Sequence, residues 1–424
     1  MKKLLIMLAL LWTVAVLFSA VAFSQAGDAD RRGQDWDHHY QHPQHPQLNF
    51  IEALPVPGTS TSNPFTAFDI IYVKPRQQKM VLSSRSSKAV VIYDVFRDIP
   101  VGSTAAVFAG QVPGVNSLSG PDGTLIEGHR IWAGDFCSAP GANCSQSGGV
   151  VRVFDLKVNL SSPPEIAEIY TGGTTRADEM DYDPRDKVVL VTNGDASPPF
   201  ASLISTESLS ITKQITFDGT GGTPDATQGG LGSVLYDSET GKFLISIPWV
   251  GSDDTNGAVA EMNPRTGDIT HVFYGTEACM AAGMAQGPGE NVLVGCDPGF
   301  PPPDPTIFSP RTYVINGRTG KVVAKITQVG GEDEVWYNPG DHRYYTGSRD
   351  FFTSPTATAA TPVLGVIDAD TNRWVENIPT GPNSHSVAAN PFNNHIYVPL
   401  KNPNALCGNL PGCVGVVGYT EHKP

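Results

Sequence analysis

Asp69, Asn116, Arg176, Asp178, Glu179, Glu277, Asp333, Glu334 and His385 are the residues of this chain whose types and spacing point to chemistry. Most sit in short acidic or imidazole-bearing phrases: F-D-I at 68–70, R-A-D-E-M at 176–180, D-E-V-W at 333–336 and S-H-S at 384–386. Each phrase leads into a short apolar run and then a turn. Carboxylates converging with one imidazole can hold a hard divalent cation such as Ca²⁺ or Mg²⁺, or a cationic or hydroxyl-rich ligand. For a metal, the oxygen donors would be Asp178, Glu179, Asp333 and Glu334. Such a cation would polarise a carbonyl while His385, the general-base candidate, or a carboxylate takes a proton, giving lactone or ester hydrolysis or a lyase reaction. The plainer alternative is that these groups cap strand ends and satisfy backbone N–H groups around a water-filled channel. G-x-S-x-G, P-loop, H-E-x-x-H and dinucleotide signatures do not occur.

The element that must position these residues is a β-hairpin, clearest at 331–350. Asp333 and Glu334 enter an apolar run at 335–337, the turn is Asn338, Pro339, Gly340 and Asp341, and a second strand follows at 343–346. Asn, Pro, Gly and Asp supply the backbone angles of a tight reversal, and aromatic or β-branched residues suit a half-buried pleated surface. Turns of this kind centre on Pro75, Pro121, Pro184, Ser238, Pro288, Pro339 and Pro391, at intervals of 46, 63, 54, 50, 51 and 52 residues. A period near 50 with four short strands per repeat predicts propeller blades, and seven turns predict seven. The last repeat, 390–419, has only three strands, while 48–56 reads as the missing fourth. The expected fold is therefore an all-β, seven-bladed β-propeller of four-stranded antiparallel blades. It would form a single domain over 48–424, with its ring closed by pairing of the N- and C-terminal strands, which leaves no free sheet edge.

Several phrases carry a family resemblance: F-D-I at 68–70, I-W-A-G-D at 131–135, R-A-D-E-M-D-Y-D-P at 176–184, D-E-V-W-Y-N-P-G-D at 333–341, L-G-V-I-D-A-D-T-N-R-W at 364–374 and T-G-P-N-S-H-S-V-A at 380–388. In these the chain resembles the exported bacterial YncE-type, YVTN-repeat β-propellers over about 48–420. The fourth repeat departs from the pattern, with Ser238 in place of the turn proline and an uncharged mouth at 231–233. The resemblance implies the propeller fold and export. That family is similar in fold to surface-layer propellers, quinoprotein dehydrogenase chains and lactonases, and a shared fold does not by itself give an activity.

In a propeller the loops leading into the first strand and those joining the second and third strands emerge on one face. Here the second-to-third connections at 137–149, 193–200, 249–257, 296–310, 347–362 and 401–413 are long, and the turns of the opposite face are nearly all short. The elaborated face is thus the expected functional one, for a small molecule or a protein partner. Residues six and five before each turn centre would stand at the channel mouth there. They place Asp69, Asp333, Glu334 and His385 on one arc, with Arg176, Asp178 and Glu179 opposite, Asn116 between them and Glu277 on a neighbouring loop. Trp249 could stack at this mouth.

Lys2 and Lys3 precede an apolar run at 4–17 and small residues at Ala20, Ala22, Ser24 and Ala26. This order predicts a secretory signal peptide over 1–26, and no later segment is apolar for long enough to span a bilayer. In an exported, periplasmic or extracellular protein the six cysteines predict three local disulfides, Cys137 with Cys144, Cys279 with Cys296, and Cys407 with Cys413. Residues 27–47 are nearly free of aliphatic side chains and hold His38, His39, His42 and His45. They read as a flexible lead-in that can gather copper-like ions loosely but fixes no ligand geometry. Loss of the leader with its two lysines takes the formal charge from −14 to −16, which argues against a nucleic-acid partner.

Overall fold

A computed structural model describes residues 47–141, 143–252, 257–297, 310–354 and 357–420. The expected signal peptide, and the lead-in up to residue 46 with its four histidines, lie outside the described residues.

Strand Ala89–Asp94, A-V-V-I-Y-D, is buried at every position, whereas Ser210–Thr216 exposes most of its length. The difference follows from place in a blade. A middle strand has both faces covered and reads as a continuous apolar run, as buried sheets do. An outermost strand keeps one face in water. The described strands form seven four-stranded antiparallel sheets, as expected. In six of them the strands follow in chain order. In the seventh, Ala388–Asn390, His395–Leu400 and Cys413–Tyr419 are completed by Leu48–Pro55, with Leu48 opposite Tyr419 and Pro55 opposite Cys413. Each innermost strand touches those of both neighbouring blades, and Ile71–Lys74 of blade 1 meets Ala388–Asn390 of blade 7, so the ring is closed.

Seven buried apolar clusters fill the blade interfaces. Strand Lys79–Ser84 shows how alternation makes them: Met80 and Leu82 pack toward blade 7, and Val81 packs toward blade 2. Successive side chains of a strand point to opposite faces, so a three-residue run serves two interfaces.

The structure corrects one register. The first hairpin of blade 2 is Thr124–Glu127 with Arg130–Cys137, so its turn is Gly128-His129 rather than Gly120-Pro121-Asp122. With Gly128 in the turn position, the steps from Pro75 and on to Pro184 become 53 and 56 residues, in line with the other blades. The proline at 121 belongs to the long 104–123 connection. Because of this shift, the residue equivalent to Asp69 and Asp178 is Asp122, not Val115.

All three disulfides pair as expected. They fit an oxidising compartment, and no helix among the described residues is long and apolar enough to cross a membrane. Cys279–Cys296 closes the longest loop, 17 residues, and is buried. Replacing both cysteines by serine should lower the unfolding free energy by about 3 kcal/mol, as expected from loop closure. Urea unfolding of that variant beside the parent checks the figure.

Candidate binding site at the channel mouth

Two glycines show how the acidic phrases reach the channel. A Cβ on Gly123 would lie 2.2 Å from the Asp178 carbonyl oxygen, and one on Gly283 would lie 2.4 Å from that of Asp333. Only glycine lets the backbone of blades 2 and 5 approach so closely the peptides that carry Asp178-Glu179 and Asp333-Glu334. The same segments are held along the second strands: Asp178 N–H donates to the Thr192 carbonyl, and Asp333 N–H to that of Gly347.

The result is a cavity of about 630 Å³ at the mouth. It is lined by Asp69, Asn116, Arg176, Asp178, Glu179, Asp333, Glu334 and His385, so eight of the nine expected residues come together. Glu277 does not line it. Its side chain is exposed, and its carbonyl accepts from Arg311 and from the Tyr313 hydroxyl. Two residues further on, Cys279 anchors that loop to Cys296. Trp249 stands in the wall, as expected of a stacking residue.

Of the counter-charges, sequence reasoning found Arg176 and missed Arg85 and Arg349. Arg85 lies 3.0 Å from Asp69, donates to the Asp122 carboxylate and reaches Asn116 Oδ1 at 2.9 Å. Arg176 donates to Asp178 at 2.7 Å and to the Asn116 carbonyl at 2.9 Å, and it lies 3.7 Å from Asp122 and 3.5 Å from Asp195. Arg349 pairs with Asp333 and Asp297, each at 2.7 Å. A signal for two of these arginines exists. Each directly follows the second strand of its blade, in S-S-R-S at 83–86 and G-S-R-D at 347–350. Asp122 was hidden by the register error.

Among the described residues, the set of three carboxylates whose oxygens lie within 4.8 Å of one another is Asp69, Asp122 and Asp178. The guanidinium groups of Arg85 and Arg176 already pair with this set. Burial raises the Asp69 carboxyl, but Arg85 and then His385 outweigh it and hold the group below the usual range. Asp122 is raised by full burial even though two arginines flank it. Asp178 is pushed up to about 6, again by burial against the pull of Arg176.

His385 is 3% exposed and stacks on Phe68 with ring centroids 4.5 Å apart. Nδ1 lies 2.8 Å from the Asn383 carbonyl and Nε2 lies 3.5 Å from Asp69, so both ring nitrogens face groups of the wall.

Glu179 and Glu334 differ from the rest. No cation pairs with either side chain and no hydrogen bond holds it within the described protein, although both are partly buried. Burial raises the Glu179 carboxyl well above the usual range, and repulsion from Glu334 is the next cause. For Glu334 the causes are burial, then Asp333. The described lining carries Asp69, Asp178, Glu179, Asp195, Asp297, Asp333 and Glu334 against Arg85, Arg176, Arg349 and Lys401, which leaves the mouth net negative.

No known family description matches the chain, and no curated protein matches it by sequence. Among solved structures it is similar to Kuenenia stuttgartiensis hydrazine synthase, with 16% identity over 80% of this chain and 93% of that one, at a TM-score of 0.57. It is also similar to the WD40 domain of Neurospora crassa Pan2, with 10% identity over 88% and 95% of the two chains, at a TM-score of 0.58. At such identities the likeness speaks for architecture alone, and the chain is a seven-bladed β-propeller.

Proposed function

We propose that this propeller is a binding protein that takes a small cationic ligand, a primary ammonium, in the mouth of its central channel. One observation carries the reading: Glu179 and Glu334 are acidic, partly buried and without a counter-ion, while every neighbouring carboxylate cluster already has an arginine. Asp178 Oδ1 is a further acceptor in the same wall, on a residue 9% exposed, and has no partner. An ammonium has three donors for these three carboxylates. A divalent cation is the competing occupant, and with it the lactonase-like hydrolase or lyase reading, in which His385 would act as base.

Calorimetry with methylammonium, Ca²⁺ and Mg²⁺ separates them. Glu179→Gln or Glu334→Gln should weaken ammonium binding at least tenfold, because a charge-assisted hydrogen bond of about 1.5–3 kcal/mol is lost. Since both carboxyls titrate above the usual range, acidification should release the cation. Undiminished binding to both variants would refute the site. The phrases resembling YncE-type propellers support membership of that exported family, and the three disulfides support an oxidising location.

A further inference from the structure

Below the mouth the channel holds a second cavity, of about 280 Å³. Glu179, Ser233 and Glu334 line both cavities, so the two meet at the glutamates. The mouth is strongly polar, but the lower chamber is walled largely by Ile71, Tyr72, Met180, Leu235, Trp336 and Val387. Tyr72 and Trp336 meet edge to face with centroids 5.7 Å apart, which fixes an aromatic wall. Besides the two glutamates at the junction, one further carboxylate lines this chamber. Asp181 accepts from the backbone N–H of Tyr236 in blade 4 at 2.6 Å and of its own neighbour Tyr182 at 2.7 Å, so both oxygens are engaged and one of them joins blades 3 and 4.

From this arrangement we infer that the ligand is an amphiphilic amine: its ammonium lies at Glu179 and Glu334, and its alkyl or aryl body descends between Leu235 and Trp336 into the lower chamber. The inference rests on the ammonium reading above and adds the class of molecule. Two unpaired carboxylates at a neck, an unpartnered buried oxygen of Asp178 beside them and an apolar, aromatic-walled chamber beyond suit a charged head with a hydrophobic tail. A chamber near 300 Å³ is at the small end of ligand sites, enough for a six-carbon chain or one ring.

The test is a titration series on the full chain with methyl-, propyl- and hexylammonium and hexane-1,6-diammonium. Affinity should rise about fourfold per methylene along the monoammonium series, the transfer value for a buried CH₂. The diammonium should bind at least tenfold more weakly than hexylammonium, because its far charge would enter an apolar chamber. Leu235→Trp, which fills the chamber, and Trp336→Ala, which removes its wall, should each bring the ratio of hexyl- to methylammonium affinity toward one. With two variants, misfolding of one does not void the test.

If methyl- and hexylammonium bind equally well, the two-chamber inference is overturned while the mouth reading stands. A diammonium tighter than hexylammonium also overturns it, and makes Asp181 a second anchor. Failure of every amine to bind, with or without uptake of Ca²⁺ or Mg²⁺, overturns both.

Discussion

Replacing Arg85 by alanine is expected to destabilise the fold by about 3–5 kcal/mol, the range for breaking a buried ion pair from one side. Arg85 is 5% exposed and its guanidinium lies between Asp69 and Asp122, the latter fully buried. Removing it leaves two carboxylates near the channel mouth, with Arg176 near Asp122 and His385 near Asp69 as their remaining partners. Asp122 already has an unpartnered Oδ2 and so has no other donor to turn to. Loss of Arg85 raises the already elevated Asp122 carboxyl further, so the folded variant holds a proton there at higher pH than the parent does, and the loss should be smaller near pH 5 than near pH 8. Adding Asp122→Asn to Arg85→Ala should recover a large part of the loss, because the uncompensated charge is then gone. Urea unfolding at both pH values measures this, and a loss under about 1 kcal/mol at pH 8 would show that the pair is not buried as described.

The second large effect is a pH dependence centred on Glu332. This side chain is fully buried between blades 5 and 6, where it accepts from the Thr312 hydroxyl and, at 3.0 Å, from the backbone N–H of Cys296. Burial pushes its carboxyl from 4.5 up to about 8. Between those values the folded protein holds a proton at Glu332 that the unfolded chain has released. This group's contribution is therefore fully present below pH 4.5 and falls as pH rises, by about 1.4 kcal/mol per unit, until it levels off above pH 8. Glu332→Gln cannot titrate and removes the slope. The stability of the parent minus that of the variant should then decline steadily between pH 5 and pH 8. A difference that stays flat over that window would mean that Glu332 is ionised in the fold.

Much of this molecule was legible because propeller blades are local. Each blade is a chain-ordered meander, so turn residues and alternating burial repeat at a near-constant period and can be counted. In blade 6 the phrase L-G-V-I-D-A-D-T-N-R-W at 364–374 spans the turn between the third and fourth strands, Val363–Asp368 and Arg373–Pro379. Pairing of the first and last strands was also readable, because the final repeat lacked one strand and the start of the repeat region held a spare. The single slip came at blade 2, where Gly120-Pro121-Asp122 has turn composition but serves the 104–123 connection. Composition marks a reversal without saying which one, and the more even spacing through Gly128 was the better guide.

The candidate site was legible as a list of acids and illegible as electrostatics. Position along the inner strand placed Asp69, Asp178, Asp333 and His385 at one level of one channel. It set Arg176 near Asp178, but gave no sign of Arg85 beside Asp69 or Arg349 beside Asp333, or that Glu179 and Glu334 would be left without an arginine partner. Arg85 follows the second strand of blade 1 and Asp122 leads into blade 2, so their meeting depends on the angle between blades and on rotamers selected by packing. The second compartment was beyond sequence reasoning for the same reason. Leu235, Met180 and Trp336 belong to three blades and read as ordinary inner-strand residues, and the space among them is set by how far apart a seven-membered ring holds its walls. Hydrophobic period and turn chemistry act between residues near in sequence, and they determined the blades, their number and the face that carries the long loops. Ion pairing and cavity shape depend on distances across the ring, and those came into being only when the ring closed.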